Sequence, residues 1–156
     1  SVRGDAAYTL GSLGPAAAKA VPGLIALLKH DKTELGIDSA ITALGMIGPG
    51  AALAAPLLAE ALRQGKGETP WRAAEALGLI GSAVPQAIEA LATALKSKHI
   101  HLRVSAARSL SQLDRQAARK ALHTLLEDYQ SDVHGRSDIS KIVRAIDPKT
   151  AKELGM

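Results

Sequence analysis

The chain of 156 residues has no cysteine and no phenylalanine, a single tryptophan and two tyrosines. Without cysteine there are no disulfides, thiolate metal sites or cysteine nucleophiles. That absence fits a reducing compartment, and the cytoplasm is the expected location. Without large rings a core must bring its helices close together, which alanine at the contact positions permits. β-branched and aromatic residues are too thinly spread for a sheet. Neither an apolar run approaching the roughly 18 residues of a membrane span nor a signal-peptide pattern at the start is expected, so no membrane is expected among the partners. Catalytic patterns are missing too. There is no Gly-x-Ser-x-Gly, and no Ser or Thr stands with a His and a carboxylate at a recognisable spacing. Gly65-Lys66-Gly67 is too short for a phosphate loop and follows no strand, so it reads as a turn. The expectation is a chain that is not an enzyme and needs no cofactor.

Alanine and leucine dominate what is present, and one short motif recurs. Leu10-Gly11-Ser12-Leu13-Gly14 is followed by Leu44-Gly45-Met46-Ile47-Gly48 and by Leu77-Gly78-Leu79-Ile80-Gly81. Weaker copies are Leu110-Ser111-Gln112-Leu113-Asp114 and Val143-Arg144-Ala145-Ile146-Asp147. The copies thus begin at Leu10, Leu44, Leu77, Leu110 and Val143, and the interval between them is almost constant. A fixed period of that length is the mark of a repeat architecture, in which each unit buries its apolar face only against its neighbours.

Each motif closes a helical pattern. Val2, Ala6, Leu10 and Leu13 share one helix face in the first repeat, as do Leu102, Ala106, Leu110 and Leu113 in the fourth. Gly14, Gly48 and Gly81 supply the left-handed backbone that commonly ends a helix. Asp114 and Asp147 replace that glycine in the last two repeats, and Asp147-Pro148 reads as an N-cap with proline at the first helical position. A second helix follows in each repeat, with core residues Val21, Leu24, Ile25 and Leu28, then Leu58, Ala59 and Leu62, then Val84, Ile88, Leu91 and Leu95. In the fourth repeat they are Ala118, Leu122, Leu125 and Leu126. Pro22, Pro56 and Pro85 mark its start. From the motif to that proline is nine residues in the first two repeats and five in the third. The difference is about one helical turn, so an extra, kinked turn is expected before Pro22 and Pro56. Thr69-Pro70 reads as cap and first residue of the third first-helix.

The pattern Arg-x-x-Ala, Leu-Gly-x-Leu/Ile-Gly and Val-Pro resembles HEAT repeats, specifically the short bacterial type named after phycobilisome lyases. It is carried by Val2-Arg3, Ala6-Ala7, Leu10-Gly11, Leu13-Gly14 and Val21-Pro22. Trp71-Arg72-Ala73-Ala74 and Val84-Pro85 carry it in the third repeat. Repeat two has Ile37 in place of the usual Arg, and repeat four lacks both glycines. The resemblance implies an all-α fold, an α-solenoid of about five HEAT-like helix pairs in a right-handed superhelix. It would form one domain over 1–156, with repeats at 1–31, 32–66, 67–98, 99–131 and 132–156. The fifth is rich in polar residues around a narrow stripe of Ile139, Ile142, Val143 and Ile146, as a terminal cap should be. Ser1 begins directly on a helical pattern, so the expectation is that the protein continues N-terminally or self-associates through this end.

Such repeats serve many functions, so the site must be sought in the residues. The formal charge is +4, and all of the excess lies in the second half. Residues 1–78 hold seven basic and seven acidic side chains, whereas 79–156 hold twelve and eight. A basic patch is expected at Lys96, Lys98, Arg103, Arg108 and Arg115. On the second helix of repeat four, Arg115, Arg119 and His123 form a row beside Lys120. The resemblance implies that second helices line a concave face. Its lining would be Gly23 and Ala26, Leu57 and Glu60, then Gln86, Glu89 and Thr93, and finally Arg119, Lys120, His123 and Glu127.

The leading expectation is a scaffold that binds another protein there. Nucleic-acid binding through Lys96–Lys120 is the alternative, as in HEAT-type DNA-repair glycosylases, although the acids in the groove and the lack of interleaved aromatics oppose it. A lyase-like or chaperone-like ligand carrier comes third. Trp71 stands where other repeats have Gly4, Asp38, Val104 and Ser137; it is read as an edge anchor for a partner or a cover for the joint between repeats two and three. His99, His101, Asp132 and His134 recur at the repeat spacing. Adjacent repeats stand about 8–10 Å apart, too far for shared metal ligands at about 2 Å. They read as loop residues, with Asp132 capping a helix, and no metal is expected.

Overall fold

The computed structural model describes residues 2–129, 136–153 and 155, with side-chain environments for 5–123, 140–149, 151–153 and 155. Among these residues there are ten α-helices and no strand. They run α1 (Val2–Ser12), α2 (Val21–His30), α3 (Glu34–Ile47), α4 (Ala55–Gln64), α5 (Thr69–Ile80), α6 (Pro85–Ala94), α7 (Ile100–Leu113), α8 (Arg115–Tyr129), α9 (Arg136–Ile146) and α10 (Pro148–Glu153). Odd-numbered helices stack on one another, α1 on α3, α3 on α5, α5 on α7 and α7 on α9. Each even-numbered helix from α2 to α8 packs on the first helix of the following repeat. The result is a two-layered α-solenoid.

The extra turns before Pro22 and Pro56 are 3-10 helices, Gly14–Ala20 and Gly48–Ala54. Proline occupies the first turn of α2, α4 and α6, where its missing N–H costs nothing. The closing glycines all take positive φ, 57° at Gly14, 73° at Gly48 and 70° at Gly81. Gly81 adopts the left-handed helical cap. Gly48 instead pairs its positive φ with an extended ψ, a combination reserved for glycine, because a 3-10 helix must start there at once. In repeat four the Asp114 carboxylate accepts from the Gln116 and Ala117 amides at 2.9 Å and caps α8. Asp147 does the same for α10 through the Lys149 amide.

Thr69 departs from expectation. No side-chain bond caps α5, and the buried Thr69 hydroxyl instead donates to Asp38 in the preceding repeat at 2.6 Å. A hydroxyl buried at a repeat joint needs a partner, and Asp38 offers a stronger one than an amide of its own helix.

The core is built from Ile41, Leu44, Ile47, Leu58, Leu77, Ile80, Leu91, Leu95 and Leu110, interleaved with buried alanines. Fully burying each of these large side chains contributes about 2 kcal/mol. Two of the expected core positions in repeat one are open. Ala6 is exposed and Ala7 buried, and Leu13 is 60% exposed where Ile47 and Ile80 are 0% and 2%. The reason is geometric: α3 covers α1 on one side only, whereas α3 and α5 have a first helix on both sides.

The apolar content of repeat two also exceeds expectation. Residues 34–64 are helical throughout and match a membrane span by length and composition. The stretch is broken at Gly48 and kinked at Ala51. Neither α3 nor α4 by itself reaches the roughly 20 residues that a straight helix needs to cross a bilayer. Its large side chains Ile41, Leu44, Ile47 and Leu58 are buried against neighbouring helices. It is the centre of the solenoid core.

Candidate functional site

The two layers are spaced differently. In the first-helix layer the leading glycine of the motif lets backbones approach. A β-carbon at Gly11 would stand 2.7 Å from the Ala43 Cα, and one at Gly45 would stand 3.0 Å from the Ala76 Cα. In the second-helix layer α4 and α6 are in contact, but α6 and α8 touch lightly and α2 and α4 hardly at all. On the second-helix side, grooves open between α2 and α4 and between α6 and α8.

One groove of about 530 Å³ lies between repeats one and two. Its floor holds Leu28, Ile37, Leu57 and Ala61, and its rim holds Lys29, Lys32, Lys66, Glu34 and Glu60. A second, of about 450 Å³, lies between α6 and α8, floored by Ala92, Leu95, Ala117 and Ala121 and edged by Glu89, Thr93, Lys96 and Lys120. Of the side chains expected on this face, Leu57 and Glu60 therefore meet in the first groove, and Glu89, Thr93 and Lys120 in the second. Gln86 is exposed near the start of α6 and lines neither groove. His123 is exposed on α8, and the Glu127 side chain lies outside the described ones. Arg119 turns toward repeat five, where its Nε stands 3.7 Å from the Asp147 carboxylate.

The basic cluster of the sequence does not form one surface. Lys96 joins the second-helix groove beside Glu89. Arg108 lines a separate recess on the first-helix side with Glu75, Ser105 and Gln112. Arg103 is half-buried in α7, while Lys98 and Arg115 are exposed at opposite ends of that helix. Helix geometry explains the scatter, because neighbours in sequence here occupy two helices in two layers.

Trp71 is half-buried, with the Arg72 guanidinium 5.3 Å from its ring centre. It lines a recess of about 410 Å³ with Pro70, His99, His101 and Leu102. That recess lies between repeats three and four; Trp71 was expected either to anchor a partner or to cover the joint between two and three. That earlier joint is held by a polar latch the sequence reading missed. Asp38 accepts the Thr69 hydroxyl and stands 3.4 Å from the Arg72 Nε, while Arg72 also binds Glu68 at 2.6 Å. The signal was available: Asp38 and Arg72 are opposite charges one repeat apart. Exposed apolar side chains also stand on the first helices, Leu35, Met46 and Leu79, with Leu53 on the second 3-10 segment, none of them singled out in the sequence.

His99 and His101 are exposed, and among the described residues no three His, Asp or Glu side chains gather to hold a metal ion. Asp132 and His134 lie outside the described residues.

A family model of HEAT repeats matches residues 54–136, more than half of the chain, and one of the PBS lyase HEAT-like repeat matches residues 2–30. The chain belongs to the HEAT-repeat family. An engineered protein, whose crystal structure comes from the Northeast Structural Genomics Consortium, is similar with a TM-score of 0.64 and 23% identity. The match covers 91% of this chain and 70% of that one, and shows a shared fold alone. No curated protein matches the chain. HEAT repeats are scaffolds typically used for protein interaction and typically non-catalytic.

Proposed function

We propose that the chain is a non-catalytic scaffold that holds another protein on its second-helix face, the face expected to be concave. The observation that carries this reading is the pair of grooves between second helices, where apolar floors lie beside charged rims. A partner segment laid there buries aliphatic surface in the floor and finds its polar contacts at the rim, the usual anatomy of a protein interface. The scattering of Lys96, Arg103, Arg108 and Arg119 over different faces, with Glu60 and Glu89 among the groove lysines, supports a protein partner over a phosphate backbone.

The test compares proteins co-purified with the parent chain, with Leu57→Asp and Lys96→Glu variants, and with a Leu79→Asp variant on the opposite side. The expected result is loss of specific partners only with the second-helix changes; loss only with Leu79→Asp overturns the reading. Fluorescence anisotropy with a labelled duplex and a labelled single-stranded RNA is expected to show no salt-sensitive binding. Steep salt dependence abolished by Arg115→Glu, Arg119→Glu and Lys120→Glu would restore the nucleic-acid alternative.

A further inference from the structure

The two grooves of the second-helix face differ in their floors and agree in their rims. Between repeats one and two the floor is aliphatic, with Leu28, Ile37 and Leu57 all half-buried and open to a ligand. Above it stand Lys29, Lys32 and Lys66, lining the rim without an ion pair among the described residues. Of the two acids at this rim, Glu34 leans its carboxylate on the Gly67 turn, where a β-carbon would collide with it. Glu60 is left as the acid presented by α4. Between repeats three and four the floor is Leu95 with three alanines, and Lys96 and Lys120 share the rim with Glu89. Lysines outnumber acids at both rims, in a half of the chain that is neutral and in one that is basic alike.

We propose that this face takes an acidic peptide segment, with one aliphatic side chain seated on Leu28, Ile37 and Leu57 and flanking carboxylates against Lys29, Lys32 and Lys66. This rests on the second-helix face being the receptive one. The lysines are solvated, so they contribute selectivity and encounter rate more than affinity, and the anchor supplies the hold. A nucleic acid fits less well, because Glu60 and Glu89 would meet its phosphates and, among the described residues, no aromatic side chain lines either groove as a stacking platform. The grooves are two repeats apart, more than about 20 Å, because the second helices stand wider than the usual spacing of packed helices. An extended segment needs more than about six residues to bridge that distance, so acids at least that far beyond the anchor reach Lys96.

The test is selection of a random dodecapeptide library on the whole chain at low salt, followed by anisotropy measurements on the enriched peptides. Enriched sequences are expected to carry Asp or Glu around Leu, Ile or Val. They should weaken about tenfold at moderate salt and at least as much on a Lys29→Glu, Lys32→Glu, Lys66→Glu variant, whose helical circular dichroism stays unchanged because none of the three side chains is part of the core. The same variant should enrich basic peptides instead. Neutral or basic peptides on the parent, acidic ones indifferent to the charge swap, or no enrichment overturn the proposal. If such peptides are still lost on Leu57→Asp, only the acidic assignment fails. If they are indifferent to both sets of substitutions, or displaced only by Leu79→Asp, the second-helix face itself is the wrong surface.

Discussion

The two layers of the solenoid are made of similar residues and do different work. First helices carry the repeated Leu-Gly-x-Leu/Ile-Gly, and their glycines and alanines let α1, α3, α5 and α7 lie close along the stack. Second helices carry no such close-approach glycine: Gly23 in α2 has nothing within 4 Å of a would-be β-carbon. α4 and α6 are in contact, but α2 stands apart from α4 and α6 from α8, and grooves with lysine rims open there. The first-helix layer is constrained by backbone approach at Gly11 and Gly45. In the other, lysines and acids line the grooves between second helices, the face proposed to meet a partner.

Substitutions break or sharpen this contrast. Gly45→Leu drives a branched side chain into the Ala76 backbone and should cost about 3 kcal/mol, read as a lower urea midpoint. A wild-type midpoint would mean that the first-helix layer yields as readily as the second. Asp38→Ala strands the buried Thr69 hydroxyl and one side of Arg72, for a loss of about 2 kcal/mol. A double-mutant cycle with Thr69→Val should recover part of it, and strict additivity would deny the latch. Asp114→Ala removes the α8 cap and should cost about 1 kcal/mol. In the second layer the sign reverses: Gly23→Ala should raise stability by about 0.5 kcal/mol, seen as a small upward shift in Tm. A loss there would show that α2 is packed as tightly as α3.

Legibility in the sequence followed how local the cause was. The repeat, the helix pairs, the proline starts and the kinked turns before Pro22 and Pro56 were readable, because each depends on residues within one helical turn or on a period counted directly. The role of Gly11 and Gly45 was missed, although a glycine recurring inside a helical pattern is itself a packing signal. Thr69 was misread as a cap, because Ser and Thr before a helix usually cap it, and its partner Asp38 lies in the preceding repeat. The basic cluster misled in the same manner: Lys96, Arg108 and Arg119 are near in sequence and fall on different surfaces.

The order of side chains along the chain determined that this protein is a stack of HEAT-repeat helix pairs, since apolar periodicity, glycine stops and a constant repeat length need no distant contact to act. Which helices touch, which joints take a polar latch and where grooves open was decided only by the stack. Those features depend on the separation of residues a full repeat apart in the sequence, and that separation is set by how closely two backbones can approach once their side chains have been packed.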